Sequence, residues 1–249
     1  MELNLQNKKV LITGSSRGIG KAITKAFVGE GSIVGAHYNA SKKDAEALIT
    51  GKGIALQADF SNPGKSSGII DEFIAFSGGL DVLILNAGIA INSNPAKPEK
   101  EWIEDWEKTM TSNLTSCAAL CRKAINCFVK QGGGIIVTIS SRAAFRGDTP
   151  DYMAYAASKA GLVALTRSIT RGYGKQGVVA FTVAPGFTRT EMAQVFIDKY
   201  GNDYATGDIA LSELTEPKDI APTVLFLASG LANHATGATI DINAGSYVH

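Results

Sequence analysis

Short apolar runs alternate with amphipathic stretches along almost the whole chain. Residues 8–13, 32–38, 54–58, 81–85, 134–140, 178–183 and 239–242 read as strands. In the fifth run, Ile135-Ile136-Val137-Thr138-Ile139 is almost wholly apolar. A run without polar alternation suits a parallel sheet that helices cover on both faces. Between the runs, apolar positions recur at helical spacing over residues 21–30, 42–50, 63–76, 102–129, 150–173 and 217–228. In the first of these, Ala22, Ile23, Ala26 and Phe27 share one face. Residues 188–215 carry no firm period, and we read them as a lid. Strand and helix alternate with no linker-like interruption. The pattern predicts one domain over residues 1–249, a doubly wound α/β fold with a seven-stranded parallel sheet.

Ligands of such sheets bind beyond the strand C-termini. Gly14, Asp59, Asn86, Ser141 and Pro185 all fall at predicted strand ends, which places a site on one edge. The first strand runs into Gly14-Ser15-Ser16-Arg17-Gly18-Ile19-Gly20 and then a helix, the context of a Rossmann-type dinucleotide loop. Gly14 would permit the tight turn, Gly18 the approach of a pyrophosphate, and Gly20 close packing of helix on strand. The helix start would offer free N–H groups to the anion. The spacing is Gly-x-x-x-Gly-x-Gly rather than the Gly-x-Gly-x-x-Gly of long-chain dehydrogenases. The end of the second strand bears on cofactor choice. An acid there would hold a ribose 2′-OH, but Asn39, Ala40, Ser41 and Lys42 come first, before Asp44. Arg17 suits a 2′-phosphate, because its planar fork donates paired, charge-assisted hydrogen bonds. These residues favour NADP(H) over NAD(H).

Tyr155 and Lys159 stand four apart, on one face of a predicted helix. A cation beside a phenol favours the phenolate, so we expect Lys159 to lower the Tyr155 pKa. Such a phenol can give and recover a proton. Tyr152 is a rival, but position 156 is Ala, so Tyr152 lacks a Lys one turn on and reads as a pocket wall. Ser140 and Ser141 are adjacent, and strand alternation would point only one inward.

Composition narrows the function classes. The net charge of +1 comes without a basic run suited to nucleic acid or an anionic membrane. No apolar segment reaches the length of a membrane span, and residues 1–5 lack a signal-peptide core, so a soluble cytoplasmic protein is expected. With 45% hydrophobic residues, a large core is available. Cys117, Cys121 and Cys127 fall on one predicted helix, without neighbouring ligands, and read as packing residues. No metal is expected. His37, His234 and His249 are scattered, and each reads as structural or solvated.

Taken together, the motifs resemble the short-chain dehydrogenase/reductase family over essentially the whole chain. Thr13-Gly14-x-x-x-Gly18-Ile19-Gly20 is similar to its cofactor loop, and Asn86-Ala87-Gly88 to its Asn-Ala-Gly element, with Leu85 in place of a frequent Asn. Asn113, Ser141, Tyr155 and Lys159 fall where its catalytic tetrad belongs; Ser141 is the serine 14 residues before Tyr155. Pro185-Gly186 with Thr188 resembles the element that holds the nicotinamide carboxamide. Thr236-Gly237, then residues 241–245 with Ala244 for a common Gly, resembles the C-terminal signature.

The resemblance implies roles. Tyr155 would be general acid or base, and Ser141 would hydrogen-bond the substrate oxygen. Lys159 would hold the nicotinamide ribose, and Asn113 a water linking Lys159 to solvent. Ser16, Ile19, Asn39, Ser41, Asp59 and Phe60 join the cofactor set. It implies an NADP(H)-dependent oxidoreductase of a carbonyl or secondary alcohol, like 3-oxoacyl carrier-protein reductases or a small-molecule ketone reductase. Against the carrier-protein reading, Gly132 and Gln176 stand where those reductases carry docking arginines. The alternatives are an NAD-dependent sugar, steroid or alcohol dehydrogenase, or a cofactor-sensing protein without catalysis. A largely apolar substrate pocket is expected from Ile89, Ala143, Ala144, Phe145, Tyr152, Phe187, Met192 and Phe196. The helices near 102–129 and 152–173 would form a subunit interface of a homotetramer, since Leu114, Ala118, Ala119, Ile125 and Phe128 offer more apolar surface than one sheet face needs.

Overall fold

Seven parallel strands form the sheet in the order β3-β2-β1-β4-β5-β6-β7. They span Lys9–Ile12 (β1), Ile33–Tyr38 (β2), Gly53–Gln57 (β3), Val82–Leu85 (β4), Gly134–Ile139 (β5), Val178–Pro185 (β6) and Thr239–Ile242 (β7). The computed structural model describes residues 2–49 and 51–248, without the side chains of residues 192, 195, 199, 200, 202 and 204. His249, the end of the predicted 42–50 helix and the Met192 side chain therefore lie outside the described part.

The continuous apolar strands follow from burial on both faces. Leu11, Leu83, Leu85 and Ile136 point to one face. There they meet the helices α4 (Gly68–Ser77), α6 (Ser116–Gln131) and α8 (Met153–Tyr173) through Phe73, Phe128 and Leu162. Their neighbours Val10, Ile12, Val82, Ile84 and Val137 point to the other face. They pack on Ile23 and Phe27 of α1 (Gly18–Gly29) and on Val224 and Leu227 of α11 (Pro217–Ala228). Each such side chain taken out of water contributes about 1.5–3 kcal/mol, so the two layers hold the strand ends in place.

Most departures from the predicted elements have local causes. The 42–50 helix is a short α2 (Lys42–Glu46); three-residue turns at Leu48 and Ile49 end it before Gly51. The 63–76 segment divides into α3 (Pro63–Ser66), capped by the Asn62 side chain, and α4. The long helix runs from α5 (Glu99–Met110) to α6 through a π-helical turn at Thr111–Thr115. Such one-turn widenings often mark functional sites. Ile125 and Phe128 are buried in the chain's own core, so the apolar surplus expected of this helix is smaller, with Leu114, Ala118 and Ala119 half-buried. The short α7 (Ala143–Arg146) was not expected from the pattern.

The 188–215 segment is also more ordered than its sequence pattern suggests. It holds α9 (Glu191–Tyr200) and α10 (Asn202–Thr206), separated by Gly201 with φ of +86°. Thr190 caps α9 by accepting from the Ala193 N–H. Thr188 and Thr215 pair at the base of the excursion, so it forms a flap folded over the C-terminal edge of the sheet.

Candidate active site

The sheet reverses its strand order between β1 and β4, and a cleft of about 630 Å³ opens over that edge. Its floor begins at the glycine loop. Gly14 has a φ of +69° and Gly18 of +53°, a region that favours glycine. Gly20 is needed for a different reason: a Cβ there would stand 2.0 Å from the Gly14 carbonyl oxygen. Helix α1 starts at Gly18 with no side-chain cap and no acid in its first turn. Its N–H groups therefore face the cleft beside Gly18 and Ile19 as an anion site. Dinucleotide phosphates fit this cradle.

Three neighbours hold the loop. Asn86 Nδ2 donates to the carbonyls of Thr13 (2.9 Å) and Gly14 (3.1 Å). Thr13 Oγ1 in turn accepts from the N–H groups of Asn86 and Ala87. His37 Nδ1 accepts from the Gly14 N–H at 3.0 Å, and Nε2 lies 3.1 Å from the Ala58 carbonyl. Its ring stacks on Phe60, and burial lowers its pKa to about 4, so it is neutral. His37 belongs to the cleft wall, which its sequence did not single out; a His inside an apolar strand that ends at the binding edge was the available signal. Asn39, Asp59 and Phe60 line the same region; Ser41 does not. Arg17 is exposed and pairs with Glu191 of α9 at 3.5 Å.

The opposite end holds Ser141, Tyr155 and Lys159. The two adjacent serines differ in their contacts. Ser140 Oγ donates to the Lys159 carbonyl, whereas the Ser141 hydroxyl bonds the Tyr155 phenol. The expectation that Lys159 depresses the Tyr155 pKa is not met. Burial pushes the phenol up to about 12, and the Ser141 bond only partly offsets this. The Lys159 ammonium lies 5.6 Å from the centre of the phenol ring and donates to the Ile139 carbonyl at 2.9 Å. Burial in turn lowers Lys159 to about 8.

Asn113 lies in the π-helical turn, fully buried behind the wall rather than on it. Its Nδ2 donates to the Ile89 carbonyl and the Ser158 hydroxyl, and its Oδ1 accepts from the Ile89 N–H. The Asn113 side chain thus ties the loop after β4 to α8. Gly88 sits between: a Cβ there would come within 3.3 Å of Lys159 Nζ. Pro185, Gly186 and Thr188 complete this end, with Thr188 Oγ1 donating to the Gly186 carbonyl.

The substrate side is less apolar than expected. Ile89, Ala143, Tyr152, Phe187 and Phe196 do line it, and the Tyr152 and Phe196 rings lie 5.0 Å apart. Ala144 and Phe145 do not, because α7 turns Phe145 toward Tyr247. Arg142, Arg146, Asp148 and Asp208 join the wall instead. Cys117 and Cys121 are buried core residues, their thiols pushed up by burial. His234 is exposed.

The geometry can be set beside known proteins. Residues 14–247 match the family model for enoyl-(acyl carrier protein) reductase. A 3-oxoacyl-[acyl-carrier-protein] reductase FabG of Staphylococcus aureus is 36% identical over 247 residues, 97% of this chain and 98% of the relative. The chain belongs to the short-chain dehydrogenase/reductase family. It is therefore an oxidoreductase that uses a pyridine nucleotide and acts on CH–OH donors. Among solved structures, a dehydrogenase/reductase from Sinorhizobium meliloti 1021 superposes with a TM-score of 0.91 at 31% identity, covering 99% of this chain and 98% of that one. A candidate NAD(P)-dependent gluconate 5-dehydrogenase from Beutenbergia cavernae, solved with NADP, gives 0.90 at 28% identity, covering 99% of each chain. No helix among the described residues is long and apolar enough to cross a membrane, and no cluster of metal-ligating residues occurs among them.

Proposed function

We propose that this chain is an NADP(H)-dependent carbonyl reductase in which Tyr155 delivers the proton. The reading is carried by the meeting of Ser141, Tyr155 and Lys159 at one end of a cleft whose other end is a glycine loop under a bare helix start. The bound nicotinamide would supply the hydride. Glycine loop and Asn86-Ala87-Gly88 would hold the nucleotide, with Pro185, Gly186 and Thr188 at its nicotinamide end. Ser141 donates a hydrogen bond to the substrate oxygen as negative charge grows there. Tyr155 gives that oxygen its proton. With a pKa of about 12, the phenol stays protonated at neutral pH, which suits a donor and hence reduction. Lys159 keeps a positive charge beside the phenol and holds the ribose hydroxyls. Asn113 is a positioning residue that fixes the wall behind Lys159.

Names of relatives suggest one carbonyl, a 3-oxoacyl thioester on a carrier protein. Gly132, at the exposed end of α6, and Gln176 offer no cation for such a carrier, which favours a small-molecule substrate. We also read the chain as a single-domain cytoplasmic homotetramer, joined through the α5–α6 and α8 faces, where Ile103, Val129 and Met153 remain exposed. The deciding experiment is NADPH oxidation with a panel of ketones and aldehydes, run with wild type and Tyr155→Phe. Wild type should turn over at least one of them. The variant should bind NADPH normally and lose about 10²–10⁴-fold in kcat. Near-normal turnover by Tyr155→Phe would overturn the assignment.

A further inference from the structure

The substrate side of the cleft carries a charge arrangement that the reductase reading does not require. Arg142 directly follows Ser141, and Arg146 closes α7 one turn later. Both donate from Nη1 to one oxygen of Asp208, Oδ2, at 2.9 and 2.5 Å. All three residues line the cleft, as does Asp148, which feels both arginines and Tyr155. The partners differ in how firmly they are fixed. The Arg142 side chain is only 12% exposed, and its backbone N–H bonds the Pro185 carbonyl. Asp208 is 38% exposed and comes from the flap, just after α10. Arg142 is thus held at the sheet edge, whereas Arg146, whose side chain is 40% exposed, is about as open as Asp208, and the carboxylate comes from the flap.

A buried guanidinium left without an anion is costly, so something must meet Arg142 when the flap moves. With Asp208 in place, two arginines face two carboxylates, Asp148 and Asp208. Withdrawal of Asp208 leaves one net positive charge facing the cleft. Charge-assisted hydrogen bonds from guanidinium groups, as these two make to Asp208, are also the means by which arginines bind a carboxylate ligand.

We propose that Arg142 and Arg146 form a carboxylate subsite of the substrate cleft, filled by Asp208 in this structure and by a substrate carboxylate during turnover. The substrate is then an oxo acid, reduced to a hydroxy acid, rather than a neutral ketone. The proposal rests on the carbonyl-reductase reading of the same cleft. A bound nicotinamide would supply the hydride for the carbonyl carbon, and Tyr155 would give the oxygen its proton. The carboxylate takes no part beyond fixing the substrate.

The test compares straight-chain oxo acids of four to seven carbons with their methyl esters, using NADPH and NADH consumption. At least one acid should exceed its ester in kcat/KM by about 10- to 100-fold, the span of one or two charge-assisted hydrogen bonds. Arg146→Gln should shrink that acid-to-ester ratio toward one. Asp208→Asn, which weakens the internal competitor, should enlarge it by lowering KM for the acid. Equal rates for acid and ester in wild type would overturn this proposal and leave the reductase reading standing. So would an Asp208→Asn variant that shifts acid and ester alike, which is the behaviour of a simple flap latch. Inertness of both series with both nucleotides would overturn the reductase reading and this proposal with it.

Discussion

The two halves of the cleft are built differently. The nucleotide half consists of backbone: strand ends, the turn at Gly14, the start of α1, and loops clamped by Asn86, Thr13 and His37. The substrate half consists of side chains that arrive from separate places: α7, the start of α8, and the flap with α9 and α10. Backbone geometry at such close quarters tolerates almost no alternative residue. Side chains meeting from three elements can be exchanged without disturbing the sheet. On the proposed reading, one half is the receptor for the cofactor and the other the part that selects the substrate.

The sharpest way to break this contrast is to change one residue in each half. Gly20→Ala puts a Cβ 2.0 Å from the Gly14 oxygen and 2.4 Å from Asn86 Nδ2, so the loop must shift. Overpacking of this kind costs about 1–3 kcal/mol. We expect the melting temperature to fall by several degrees, at about 2–4 °C per kcal/mol for a chain of this size. NADPH affinity, read by fluorescence titration, should fall at least about tenfold, because the displaced loop is the phosphate cradle. Phe196→Ala in the flap should instead alter substrate KM and leave both melting temperature and NADPH affinity near wild type. An unchanged NADPH affinity in Gly20→Ala would remove the distinction between the halves.

That contrast also explains what the sequence made legible. All seven strands, Gly14, Asn86, Tyr155 and Pro185 could be placed, because each follows from local patterning and the edge rule for parallel sheets, whereas the choice of Ser141 over Ser140 came from the family resemblance. Arg142, Arg146 and Asp208 could not. They come together only when residues 142 and 208 fold onto one wall, and no local period records a contact 66 residues apart. His37 was seen but not understood, since its role depends on Gly14 and Ala58 arriving at its two ring nitrogens. The mistaken expectation about Tyr155 has the same origin. Helical spacing gives proximity to Lys159, but burial of the phenol is a tertiary property and dominates.

Between the halves lies Lys159, and pH sharpens its role. Its folded-state pKa of about 8 lies below that of an ordinary lysine, so it is charged below pH 8 and neutral above. Tyr155, at about 12, stays protonated throughout that range. For the cofactor, kcat/KM reports the free enzyme. We expect it to be flat near pH 7, to bend near 8, and then to fall about tenfold per pH unit as the ammonium is lost. Lys159→Arg, which keeps its charge, should lose the bend even if slower. A bend above pH 10 in wild type would show that the lysine keeps its ordinary affinity for the proton.

The smallest expected effect lies at the outer rim, where nucleotide and substrate halves touch through Arg17 and Glu191. NAD and NADP differ by the 2′-phosphate on the adenosine ribose. No carboxylate stands at the end of β2, where Asn39 lines the cleft, so β2 itself sets no negative charge against that phosphate. Arg17 supplies the cation at the Ncap of α1, where the positive end of the helix dipole makes an anionic partner natural. Its present partner, Glu191, is about as exposed as Arg17 itself, and an exposed pair of this kind is weak. A 2′-phosphate would displace Glu191 with little loss. Arg17→Ala should therefore raise KM for NADPH several-fold and leave KM for NADH nearly unchanged. Glu191→Gln should act in the opposite sense, lowering KM for NADPH by removing the competing carboxylate. Both effects should shrink in added salt, because the groups are solvated. A wild-type enzyme with higher kcat/KM for NADH than for NADPH would show that neither Arg17 nor the missing acid at β2 sets the cofactor.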